Sequence, residues 1–276
     1  MGPSESPAVK PGALPRLGRS ILRILAVFAV LYALVCLGAR LVSTRMMFPA
    51  PAPTYGESLH GLVMISGLDG QKFAAVHLHN PRAKHLLIFF HGNGEDLGID
   101  LPRLEQFRAA GFAVLAVDYP GYGVTGGQPS EEGLYAAADA AYTYATGNLG
   151  WAKERVIVYG MSLGGSAAVW VASREVVGGL VLESTFMSAY RVMTRWPLVL
   201  GDRLPNLSRM KRVRCPVLVM HGTRDGVIDI AHGRALFAAA PEPKRSLWVE
   251  GAGHCQVDSV AGPLYWQTLT DFAAGL

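Results

Sequence analysis

The chain has 276 residues, 50% hydrophobic and 17% charged, enough for one large globular domain with an appendage. Its formal net charge is +4, but residues 1–45 hold six Lys/Arg and one Glu, so they carry +5 and the remainder sums to −1. A body so close to neutral lacks the clustered basic surface that phosphate backbones require, which excludes nucleic acid as a partner.

The appendage comes first. Residues 1–20 form a basic tail, followed by "ILRILAVFAVLYALVCLGARLV" (Ile21 to Val42), in which Ile24 to Ala39 carry no charge. As a helix these 22 residues span ~33 Å, enough for a bilayer core if Arg23 and Arg40 snorkel. A cleaved signal peptide is the competing reading, but no clean A-x-A site follows the apolar run. Cys36 is a poor lipoprotein site because Val35 precedes it. Lys10, Arg16, Arg19 and Arg23 before the span outnumber Arg40 and Arg45 after it. That bias predicts a single-pass anchor with its N-terminus in the cytoplasm and the main domain extracytoplasmic, periplasmic in a bacterium.

Residues 43–58, ending in "FPAPAPTYGES", read as a Pro-rich linker, and 59–276 as the domain. Eight apolar runs alternate with helical patterns there: "LHGLVMIS", "FAAVHLH", "HLLIFFHG", "FAVLAVDY", "RVIVYG", "GLVLES", "CPVLVMHG" and "RSLWVEG". The last six are short and nearly all apolar, which predicts a mostly parallel sheet covered by helices on both faces. The first two, joined by "GLDGQ", predict an antiparallel hairpin at one edge. Residues 185–213 are expected to form a small cap. Within it Met187, Tyr190, Met193 and Trp196 recur every three residues and are read as seating the cap on the core, with an acyl pocket as the alternative. "RMKRVR" at its end is read as a solvated face, with phospholipid headgroups as the alternative.

"VIVYGMSLGGSAAVW" puts Ser162 in a G-x-S-x-G pattern. Among 32 glycines about 0.2 such matches arise by chance, so the pattern alone is weak. Its setting, directly after a strand and before a helix, is that of a nucleophile elbow. A serine hydroxyl needs a base, and the base an orienting acid. Asp225 follows the seventh strand and His254 the eighth, so both belong at the sheet edge that carries Ser162. Glu183 and Asp229 are the alternative acids. The turn "HGNG" offers the Asn93 N–H as an oxyanion donor beside that of Leu163. His77 and His79 share a strand face without a third ligand, so neither metal nor other cofactor is expected. Cys36, Cys215 and Cys255 fit no disulfide framework.

From about residue 46 onward the order of "HGNG", "DYPGYG" with "PSEEGLYAAADAAY", "YGMSLGG", "LESTF", "HGTRDGVID" and "GAGH" resembles the bud-emergence-suppressor-like group of α/β-hydrolase-domain proteins. Pro120 departs from that pattern, where an arginine is usual. The resemblance implies an α/β-hydrolase fold with Ser162 as nucleophile, Asp225 as acid and His254 as base. The expected activity is hydrolysis of an ester or thioester of a small or lipid-like acyl group through an acyl-enzyme. A peptidase or amidase on the same fold, or a non-catalytic anchored binding module, are the rival expectations.

Overall fold

The computed structural model describes residues 16–194 and 201–276. The described chain divides into two compact units, one running up to Ser43 and one from Thr44 to Leu276. Helix α1 (Arg16–Met47) includes the apolar stretch Ser20–Met47, long and apolar enough to cross a membrane. Its large apolar side chains are exposed, Phe28 by 66% for example.

The second unit is built on one eight-stranded sheet in the order β1-β2-β4-β3-β5-β6-β7-β8. These strands are β1 (Leu62–Ser66), β2 (Lys72–Leu78), β3 (Leu86–Phe90), β4 (Ala113–Val117), β5 (Val156–Met161), β6 (Gly179–Glu183), β7 (Val217–Gly222) and β8 (Lys244–Val249). β2 runs antiparallel to both neighbours and every other pairing is parallel, so the sheet is mixed, with the expected hairpin at one edge. Alternation of side chains explains why the central strands are apolar throughout. Leu86, Ile88 and Phe90 of β3 enter one core while Leu87 and Phe89 enter the other. In β5, Val156 and Val158 face the first core and Ile157, Tyr159 and Met161 the second. The first core is closed by α3 (Glu131–Thr143) and α4 (Gly164–Ala172), the second by α2 (Leu97–Ala109) and α8 (Pro263–Ala274). Each fully buried Leu, Ile or Phe contributes ~2–3 kcal/mol by leaving water.

Of the linker expected over 43–58, the first residues to Met47 are helical, and 48–58, though largely exposed, is tied to the domain at Phe48, Thr54 and Tyr55. Phe48 is buried, the Thr54 N–H donates to Asp96 Oδ2 at 2.7 Å, and the Tyr55 hydroxyl donates to Asp118. Asp96 also caps α2 through Gly98 N and Ile99 N, so one carboxylate ties the segment to a helix start. The linker expectation missed this because proline content predicts extension but not what the extended chain lies against.

The cap region contributes two short helices, α5 (Ala189–Met193) and α6 (Asn206–Met210). The "RMKRVR" stretch is not a uniformly solvated face. Arg209 and Met210 are buried, and the Arg209 guanidinium lies 4.5 Å from the Tyr135 ring and 4.8 Å from that of Trp170. Lys211, Arg212 and Arg214 are exposed.

Candidate active site

Ser162 terminates β5 with a φ of +51°, in the left-handed region that a side chain disfavours. Its surroundings over-determine that conformation. The Ser162 N–H donates to Glu183 O at 2.9 Å, and its carbonyl accepts from Thr185 Oγ1 at 2.7 Å and from Gly165 N at 3.1 Å. A Cβ on Gly160 would lie 2.3 Å from Gly164 O, and one on Gly164 would lie 2.0 Å from Phe90 O. Both positions therefore require glycine, which lets α4 start directly against β5 and β3.

β7 and β8 are parallel neighbours, so the loops that follow them emerge side by side. Thr223 N donates to Val249 O and Arg224 N to Ala252 O, stitching one loop to the other. This brings His254 onto Asp225: His254 Nδ1 lies 2.7 Å from Asp225 Oδ2, and His254 Nε2 lies 2.9 Å from Ser162 Oγ. Ser162, His254 and Asp225 thus form one continuous hydrogen-bonded line. With Nδ1–H donated to the carboxylate, Nε2 is left to accept the serine proton. The Asp225 carboxyl side chain is fully buried. Burial raises its pKa, but hydrogen bonds from His221, His254 and the Ile228 N–H outweigh that and hold it well below the usual carboxylate range.

The alternative acids lie in other arrangements. Glu183 is completely buried, accepting from the Tyr159 hydroxyl and, at 3.0 Å, from the Tyr265 hydroxyl, with Arg103 Nη1 3.6 Å away. Asp229 caps α7 (Ile230–Ala239) through Ala231 N.

Around Ser162 the backbone N–H groups sort by their partners. Those of Ser162 and Gly92 are taken, the latter by Glu95 Oε2 at 2.8 Å. Among the described residues the N–H groups of Asn93 and Leu163 meet no acceptor. Both residues border the same pocket as Ser162 and His254. The turn carrying Asn93 stands on a buried pair, with His91 Nε2 3.1 Å from Asp118 Oδ1, and the Tyr119 hydroxyl donates to His91 O at 2.8 Å. Burial alone would lower the His91 pKa, but the Asp118 carboxylate reverses this and lifts it to about 9.

Two hollows meet at Ser162. The larger, about 430 Å³, is carbon-lined: Phe186, Ala189, Val192 and Met193 from the cap region, Val227 and Ile228 after β7, and Met46 and Met47. The smaller, about 260 Å³, is bounded by Gly92, Asn93, Glu95, His254 and Cys255. The core-seating role expected of the three-residue stripe falls instead to Ala189 and Val192, which pack against the core where Met187, Tyr190 and Met193 do not. Of the stripe's members Met193 lines the pocket and is 74% exposed, while Met187 and Tyr190 do not border it. Trp196 lies outside the described residues. Met46, Met47, Val227, Ile228, Glu95 and His221 were not anticipated. His221, completely buried with Nε2 2.8 Å from Ile228 O and 3.2 Å from Asp225 Oδ2, was detectable only as a histidine ending a strand four residues before the acid. The cysteines are free thiols, and burial pushes that of Cys215 up to about 12.

Comparison with known proteins places the chain among α/β-hydrolases. A family model described as serine aminopeptidase, S33, matches residues 81–208. The α/β-hydrolase domain-containing protein 17B of Xenopus laevis is 38% identical over 201 residues, covering 70% of this chain and 68% of that one. The α/β-hydrolase domain-containing protein aho-3 of Caenorhabditis elegans is 40% identical over 202 residues, 70% of this chain. The match spans 58% of that relative's own length, less than two thirds. Among solved structures, an esterase from Pyrococcus furiosus superposes with a TM-score of 0.68 at 18% identity, covering 82% of this chain and 96% of that one. A Rhodococcus esterase does so at 0.61, also 18% identical, covering 78% and 99%. These likenesses show an α/β-hydrolase fold.

Proposed function

The chain belongs to the family of the α/β-hydrolase domain-containing protein 17B, and on that premise we propose that it is a serine hydrolase cleaving a carboxylic ester or thioester of a small or lipid-like acyl group. The observation that carries the reading is the Ser162–His254–Asp225 line opening onto an apolar pocket. In the proposed route Ser162 Oγ attacks the acyl carbon while His254 Nε2 takes its proton. Asp225 holds the imidazole in the required tautomer and stabilises its charge. The oxyanion meets the N–H groups of Leu163 and Asn93, at the start of α4 where the helix field also favours negative charge. His254 then protonates the leaving group, and water attacks the acyl-Ser162 ester by the same steps in reverse.

The matched family model's description favours a second reading, a peptidase or amidase using the same groups. The carbon lining of the larger pocket favours the acyl ester or thioester. The stretch Ile21–Val42 is read as a single-pass anchor with the N-terminus cytoplasmic and the domain extracytoplasmic, supported by its exposed apolar surface and the lysine/arginine bias before it. An anchored hydrolase works where acyl substrates concentrate.

The test is labelling of the full-length chain in detergent with a fluorophosphonate probe. Wild type should react and Ser162→Ala should not. Equal labelling of both, or of neither in folded samples, overturns the nucleophile assignment.

A further inference from the structure

We propose that Glu95 gives the smaller hollow beside Ser162 a fixed negative charge, and that this charge makes the enzyme discriminate among leaving groups, favouring cationic over anionic ones. The inference rests on the serine-hydrolase reading and adds a specificity-determining residue to it.

The two hollows differ in chemistry. The larger is lined by methionine, valine, isoleucine and phenylalanine and suits an acyl chain. The smaller holds Glu95, Asn93 and Cys255 and shares only Ser162, Asn93 and His254 with the first. An acyl chain in the apolar pocket leaves the departing group on the opposite side of the tetrahedral carbon, against His254, which must protonate it. That side is the hollow containing Glu95.

The carboxylate there is held in place and uncompensated. Glu95 Oε2 accepts the Gly92 N–H at 2.8 Å, three residues back in the same turn. A point 2.8 Å from Glu95 Oε2, where a Gly92 Cβ would stand, lies 3.7 Å from Ser162 Cβ, so carboxylate and nucleophile flank one glycine. Among the described residues no Lys, Arg or His nitrogen lies within 4.0 Å of it. Of the two nearby cations, His91 is paired with Asp118 at 3.1 Å, and Arg103 is committed to Asp258 at 3.2 Å and Glu183 at 3.6 Å. The adjoining Asp100 is buried, and burial together with Glu95 pushes its pKa up to about 8, so at neutral pH it is largely uncharged. The Cys255 thiol is likewise raised, by burial and then by Glu95. A departing thiolate or alkoxide that bears a second negative charge is therefore repelled, and one that bears a cation is held.

A charge pair in a partly exposed site of this size changes kcat/KM by about fivefold per unit charge. Changing the leaving group from +1 to −1 should therefore change it by about 25-fold on account of Glu95. The experiment compares octanoylthiocholine, S-octanoyl-2-methoxyethanethiol and S-octanoyl-3-mercaptopropionate on the full-length chain in neutral detergent. Wild type is set against Glu95→Gln, which keeps an oxygen to accept the Gly92 N–H. The cation-to-anion ratio of kcat/KM should fall by about 25-fold in the variant. Raising NaCl from 0.05 to 0.5 M should shrink the ratio in wild type and not in the variant. An unchanged ratio overturns the proposal, as does an equal loss on all three substrates, which would assign Glu95 to holding the turn. Absence of turnover on every substrate by wild type would instead overturn the hydrolase reading, and the leaving-group proposal with it.

Discussion

Lengthening the acyl group should raise kcat/KM until the apolar pocket is filled. A fully desolvated methylene is worth ~0.8 kcal/mol. The pocket of about 430 Å³ is open to solvent on one side, so half of that, ~0.4 kcal/mol or about twofold per methylene, is the appropriate expectation. Going from acetyl to octanoyl adds six methylenes, hence about 2.4 kcal/mol, or about 50-fold. The assay is a p-nitrophenyl ester series from two to sixteen carbons on the full-length chain, with detergent type and concentration constant. Ala189, half-buried and lining the pocket, supplies the structural control: Ala189→Phe should move the optimum to shorter chains. An optimum at acetate with a steep fall by six carbons, or an optimum that Ala189→Phe leaves in place, would refute the assignment of this pocket to the acyl chain.

Asp225→Asn should lower kcat by about 10³–10⁴-fold with the fold intact, because His254 loses its orienting carboxylate, while Glu183→Gln should cost under about tenfold in kcat and lower the melting temperature. Steady-state kinetics and thermal melts separate the two, and the reverse pattern would move the acid to the end of β6. Stability should also depend on pH through His91, whose pKa is raised from 6.5 to about 9 on folding. The charged imidazole contributes fully below about pH 6.5, and its contribution disappears as pH rises through about 9, up to about 3 kcal/mol in all. Unfolding free energies of wild type and His91→Gln should thus converge by that amount between pH 6.5 and 9.5, and parallel curves would contradict the pairing with Asp118.

Fold and triad candidates were legible in the sequence because each leaves a local mark. Six short, nearly all apolar runs between helical patterns mark strands of a covered parallel sheet, and β3 to β7 are buried along their whole length while the edge strand β8 is only partly so. A serine between Gly160 and Gly164 after such a strand marks a turn where no Cβ fits, as the 2.3 and 2.0 Å approaches confirm for the glycines themselves. In a parallel sheet the ends of β7 and β8 are adjacent by topology, so Asp225 and His254 could be paired from order alone. What lines the site left no such mark. The Pro-rich segment carried no sign that Thr54 and Tyr55 would bond to Asp96 and Asp118. The cap's stripe was legible as periodic, but which face of a five-residue helix meets the pocket depends on where α5 is seated. Glu95, His221 and Met47 come from three distant points in the chain, and their roles arise from what stands beside them. Periodicity and turn chemistry are properties of neighbours along the chain. Charge left unpaired, a carboxylate held by two imidazoles and the lining of a pocket are properties of neighbours in space, decided only when the sheet closes and brings those segments together.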